Sequence, residues 1–106
     1  LNKHKLCSFV SVIKTLGKND GYLSFGIKGL TLVFDFPINA NTYDVLDELD
    51  KIIIKSKGSI YLCKDSRIKS ENFSKMRSSF YNQNFLKIRK SNKNFFSSEQ
   101  SARLNI

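Results

Sequence analysis

Phe9 to Leu16, FVSVIKTL, alternates so that Val10, Val12, Lys14 and Leu16 share one face while Phe9, Ser11, Ile13 and Thr15 share the other, which predicts a β-strand. GKNDG, Gly17 to Gly21, is turn chemistry, and a loop runs on through Gly26 and Gly29. A second strand follows at Leu30 to Phe36. Its even positions, Leu30, Leu32, Phe34 and Phe36, form an apolar face suited to a core, and Thr31, Val33 and Asp35 face the other way, where they can line a site. Pro37 stops this strand. Asn39 or Asn41 then offers an N-cap for a helix from about Thr42 to Lys57, in which Val45, Leu46, Leu49, Ile52 and Ile53 recur at helical spacing to give one stripe to lay on the sheet. Acidic Asp44, Asp47, Glu48 and Asp50 come early and Lys51, Lys55 and Lys57 late, the order that the helix dipole favours. These charges read as a solvated helix face, with Asp47 and Lys51 four apart. Gly58 ends the helix, and Ile60 to Cys63 is expected to form a short third strand.

After Arg67 the pattern changes to short helices. Ser70 can cap ENFSKMR, and Ser78 or Ser79 can cap a helix that carries Tyr81, Phe85 and Ile88 on one face. Ser97 and Gln100 have the spacing of a capping box for a last helix. Phe73, Phe80, Tyr81, Phe85, Phe95 and Phe96 exceed what three short helices can bury among themselves, so this tail needs another surface. The fold class is therefore α+β: an antiparallel sheet with a packing helix, followed by short C-terminal helices.

Composition narrows the function. The 106 residues allow one small domain with a thin core. No apolar run approaches the roughly 20 residues of a membrane span, and the N-terminal hydrophobic stretch is too short for a good signal peptide. Cys7 and Cys63 are too few for a disulfide framework, and His4 with Cys7 leaves only Cys63 toward the four ligands of a closed zinc site, so no metal is expected. A net charge of +9 invites nucleic acid. The basic residues are scattered, however, and lysine predominates over the arginine that gives bidentate contacts. A small basic nucleic-acid-binding module, its aromatics stacking on single strands, is the alternative reading.

The segment SIYLCKDSR, Ser59 to Arg67, runs from apolar residues straight into Lys64, Asp65 and Arg67, for which core packing gives no reason. Together with GLTLVFDFPI, VLDELDKIII, SENFSKM and FFSSEQSARL, it resembles the C-terminal end of the FAD-linked oxidoreductases of the vanillyl-alcohol oxidase type. Among these the decaprenylphosphoryl-β-D-ribose 2-oxidases are nearest and the aldonolactone oxidases more distant. The resemblance runs from about Ser8 to Leu104, and D-F-P followed after one helix by Y-x-x-K-D-S-R is its most specific part.

The resemblance implies an N-terminal FAD-binding domain, then a substrate (cap) domain on an antiparallel sheet, then a segment that returns to the FAD domain. On this chain, 1–58 would be the last part of the substrate domain and 59–106 the returning tail. The chain would be a fragment that binds no FAD alone, its FAD-binding domain lying in the same or a separate chain. Lys64 would lie beside the flavin and take both the catalytic and the cofactor-binding part. Tyr61 would stand on the substrate wall, with Lys14, Thr31 and Val33 facing the substrate. Thr31 and Val33 depart from the asparagine and cysteine of the nearest relatives, and Ser91-Asn92 replaces a frequent Asp-Pro. From the residues alone Lys14, which interrupts an apolar stripe, either snorkels to water or meets an anion. Asp65 and Arg67 would fix the turn by ion pairing and hydrogen bonds. The implied reaction is hydride transfer from a sugar carbinol, possessed by a polyprenyl-phosphoryl pentose or related sugar, to flavin, with a partner reductase completing an epimerisation. The implied location is cytoplasmic or peripheral at the inner membrane.

Overall fold

The computed structural model describes residues 4, 6–18, 21–23, 27–76, 79–93 and 95–106. In chain order these form β1 (Val10–Leu16), β2 (Gly29–Asp35), α1 (Thr42–Lys55), a 3₁₀ turn (Leu62–Lys64), α2 (Ser70–Met76), α3 (Ser79–Ser91) and α4 (Glu99–Leu104). The fold is α+β, as the pattern predicts. Parts of the Gly17–Gly21 turn, Gly26 and the capping role of Ser78 lie outside the described residues, as do the side chains of Phe80 and Tyr81.

β1 and β2 pair antiparallel along their whole length, from Val10 opposite Asp35 to Leu16 opposite Gly29. Directly opposed residues share a face, so one face carries Val10, Val12, Lys14, Thr31, Val33 and Asp35, and the other carries Ser11, Ile13, Leu30, Leu32 and Phe34. The Ser8 hydroxyl accepts the Asp35 N–H at 3.0 Å and so ties one end of the ribbon. The second face is the expected core face, yet Ile13 is 69% and Leu30 70% exposed. No third strand covers it among the described residues. The expected strand Ile60–Cys63 is instead an extended approach to the 3₁₀ turn, in which Lys64 N–H bonds to Tyr61 O at 3.0 Å and Asp65 N–H to Leu62 O at 3.2 Å. Those groups are satisfied locally and need no sheet neighbour.

α1 starts where Asn39 Oδ1 accepts the Asn41 N–H at 3.0 Å and the buried Thr42 hydroxyl donates to Pro37 O at 2.9 Å. Asn41 occupies the cap position without a side-chain bond. The helix ends in a Schellman turn: Gly58 N–H reaches Ile53 O at 2.8 Å and Lys57 N–H reaches Ile54 O at 3.0 Å. Lys57, not the glycine, takes the left-handed conformation, with φ 54°. Gly58 is needed for closeness, since a Cβ there would stand 3.1 Å from the Ile53 side chain.

The core lies among the helices and not on the ribbon. Ile68, Phe73, Met76 and Leu104 form its buried centre, and Ile53, Ile54, Ile60, Leu62 and Ile106 pack around them. The α1 stripe therefore meets α2 and the C-terminal segment rather than the sheet, α2 in turn packs on α4, and Ile52 is left exposed. Ser70 does not cap α2. Its hydroxyl donates to Leu104 O at 3.0 Å and joins α2 to α4. α4 begins one residue later than the SSEQ spacing predicts, with Ser98 as cap and Ser101 completing a reciprocal capping box. Gln100 is thereby free for another task.

Candidate functional site: the turn from Tyr61 to Arg67

The turn that carries Lys64 is held from two sides by polar groups. From α1, the Arg67 guanidinium takes Asp50 bidentately, Nη1 to Oδ2 at 2.9 Å and Nη2 to Oδ1 at 2.8 Å. It also reaches Asp47 Oδ1 at 2.9 Å and Leu46 O at 2.9 Å. Asp50 is only 2% exposed. This deep carboxylate is paired by a fork-shaped cation that meets both of its oxygens. The reading of the α1 acids as a solvated face is corrected for Asp47 and Asp50, because helical geometry turns both toward Arg67, some twenty residues further on. Lys69 joins Asp47 at 3.1 Å. On the same helix Glu48 meets His4 at 3.0 Å, so that histidine is not a bare surface group.

From the other side, Asp65 acts as the turn's acceptor. Its Oδ1 receives Arg67 N–H at 3.1 Å and Ile68 N–H at 2.9 Å, and its Oδ2 receives Arg103 Nη2 at 2.8 Å. Arg103 also donates to Ile68 O. Burial raises the Asp65 pKa, but the Ile68 N–H, the Arg103 guanidinium and the Arg67 N–H together outweigh it and hold the carboxyl below its ordinary value. Gln100 Nε2 donates to Leu62 O at 2.7 Å and Asp65 O at 3.1 Å. Asp65 and Arg67 do fix the turn, each through a partner on a different helix.

On this frame Lys64 is exposed, and its ammonium makes no hydrogen bond or ion pair among the described residues. Tyr61 opens the turn half exposed, with its phenol pushed above the ordinary value chiefly by a hydrogen bond with the Cys63 thiol. Cys63 and Cys7 are both exposed free thiols. Lys14 and Thr31 are directly opposed on the ribbon, and Val33 is one pair along on the same face. The structure thus brings Lys14, Thr31 and Val33 together, with Lys14 exposed to solvent, and sets Tyr61 and Lys64 apart on the turn. Asp50, Gln100 and Arg103 were missed as parts of the site. The readable signal was the Asp47-x-x-Asp50 spacing on one helix face, and nothing local announces Gln100.

Several basic groups are already engaged: Arg67, Lys69, Lys75 and Arg103 with carboxylates, and Arg89 with Ile106 O at 2.7 Å. Phe95 and Phe96 stand 82% and 79% exposed beside a shallow groove lined by Ser91, Asn92 and Lys93. Among the described residues no three His, Cys, Asp or Glu groups assemble for a metal, and no helix is long and apolar enough to cross a membrane.

No family model matches the chain. Its similarity is to an oxidase. Over 70 residues, 65% of this chain, it is 40% identical to the decaprenylphosphoryl-beta-D-ribose oxidase of Mycolicibacterium smegmatis (strain ATCC 700084 / mc(2)155), and that match spans 15% of the relative. The resemblance read from KDSR and its companion motifs is borne out. No comparison supports the nucleic-acid reading.

Proposed function

We propose that this chain is part of an FAD-linked oxidoreductase that oxidises a sugar carbinol, on a polyprenyl-phosphoryl pentose or a related sugar or aldonolactone, and that it does not turn over alone. The observation that carries the reading is Lys64: a solvent-facing ammonium, without a hydrogen bond or ion pair among the described residues, on a turn held by side-chain hydrogen bonds of Arg67, Asp65, Arg103 and Gln100. A surface lysine needs no such frame. The similarity to a sugar oxidase supplies the class of reaction.

The described residues suit one edge of a flavin, offering it Lys64 and the neighbouring Tyr61, and provide no cradle for its phosphates. When bound, FAD would take up the hydride that leaves the sugar carbon. Lys64 would hold positive charge where negative charge develops and donate to a substrate oxygen, a preorganised electrostatic role. Tyr61 would form wall, and Lys14, beside Thr31 and Val33, would face the anionic part of a lipid-linked substrate. In this reading 1–58 completes a substrate domain and 59–106 returns to an FAD-binding domain in the same or a separate chain. A separate reductase would act on the keto product, in the cytoplasm or at the inner membrane.

Stopped-flow flavin reduction in the complete enzyme tests the reading. Lys64→Ala is expected to slow reduction on the order of 100-fold while changing stability by no more than about 0.5 kcal/mol. Lys51→Ala, on the exposed side of α1, serves as control. Equal, near-wild-type rates for both variants would overturn the assignment. The 106-residue chain by itself should purify colourless, and flavin absorbance in it would contradict the need for a second domain.

A further inference from the structure

The Lys64 ammonium makes no hydrogen bond or ion pair among the described residues, so the backbone of its turn sets the direction in which its side chain starts. That backbone makes two weak local bonds of 3₁₀ type, Lys64 N–H to Tyr61 O and Asp65 N–H to Leu62 O. Short 3₁₀ segments do not hold their shape unaided. The carbonyls on either side of the Cys63–Lys64 pair, those of Leu62 and Asp65, both accept from one amide nitrogen, Gln100 Nε2, at 2.7 and 3.1 Å. A primary amide has two hydrogens, one for each carbonyl. Gln100 is well placed for this, since α4 is pinned by the Ser98–Ser101 capping box, by buried Leu104 and by Ser70 at Leu104 O. The Arg67–Asp50 pair anchors the far end of the turn, and the Arg67 N–H and Arg103 reach Asp65 from that side, whereas Gln100 joins the Leu62 and Asp65 carbonyls across Lys64.

We propose that Gln100 is a positioning residue for Lys64: by bridging the Leu62 and Asp65 carbonyls it fixes the direction in which the Lys64 side chain leaves the turn toward the site. This rests on the reading of Lys64 above. It also places a determinant of the reaction on α4, in the C-terminal segment, where it contacts no reacting atom.

Two measurements separate the proposal from that reading. In the 106-residue chain, Gln100→Met keeps length and helix propensity and removes both donors, and Gln100→Glu keeps the shape and removes them as well. Either variant is expected to speed hydrogen exchange at the Lys64 and Asp65 amides at least ~10-fold, with the amides of Ile53 and Ile54 in α1 unchanged. Unchanged exchange at Lys64 and Asp65 would overturn the bridge, whatever Lys64 does. In the complete enzyme, Gln100→Met should slow flavin reduction by at least ~10-fold with substrate affinity held, the scale expected for a displaced group. It should add no further loss in a Lys64→Ala background, a non-additivity that a purely structural role would not produce. If Lys64→Ala is slow and Gln100→Met is not, the positioning role falls and the function of Lys64 stands. If Lys64→Ala is itself near wild type, the reading falls and positioning falls with it, even where exchange shows the bridge.

Discussion

The β1–β2 ribbon and the Tyr61–Arg67 turn invert each other. The ribbon is rich in apolar residues and is mostly exposed, and the turn is rich in charge and contains or binds the most buried carboxylates among the described residues, Asp50 and Asp65. The difference lies in partners. An apolar face is buried only if another surface meets it, and two strands bring none, whereas a charged turn can be buried once every donor finds an acceptor. The ribbon also extends the molecule: the radius of gyration is 15.1 Å, against about 13 Å for a compact chain of 100 residues.

Removing the deepest partner should break the turn first. Asp50→Ala strands the Arg67 guanidinium with only Asp47 and the Leu46 carbonyl, and loss of one member of a buried pair costs about 3 kcal/mol or more. Urea denaturation checks this, and a cost below about 1 kcal/mol would mean that the pair behaves as a surface salt bridge. Asp65 sharpens the comparison through pH. Its folded-state pKa is depressed, so its share of stability is present above the ordinary carboxylate value and is lost as pH falls through the folded value. Asp65→Asn should therefore flatten the acid limb of the stability profile. A profile parallel to that of the parent chain would remove Asp65 as the acid-sensitive latch.

The smallest effect belongs to the ribbon. Leu32→Ser is expected to change the stability of this chain by no more than about 0.5 kcal/mol, because half of the side chain already faces water. A loss near 2 kcal/mol, typical of a buried leucine, would show that something covers this face in solution, and a concentration dependence would identify a second copy.

Sequence alone determined what depends on neighbours along the chain. Period-two alternation set both strands and their faces, period-3.6 spacing with Asn39, Thr42 and Gly58 bounded α1, and K-D-S-R marked a turn that packing did not require. Nearest-neighbour sterics and hydrogen bonds act over a few residues, so they are legible there. Tertiary structure decided the rest. Ile60–Cys63 has strand composition, but Ile60 and Leu62 serve the helical core and the backbone closes on itself, so it pairs with no strand among the described residues. Asp50 looks like any helix acid until Arg67, seventeen positions away, is folded onto it. Gln100 fits a capping box by spacing, and Ser101 takes that role, which leaves the amide to the Leu62 and Asp65 carbonyls. Such assignments turn on which groups lose water together, and burial is a property of the assembled fold rather than of any local stretch.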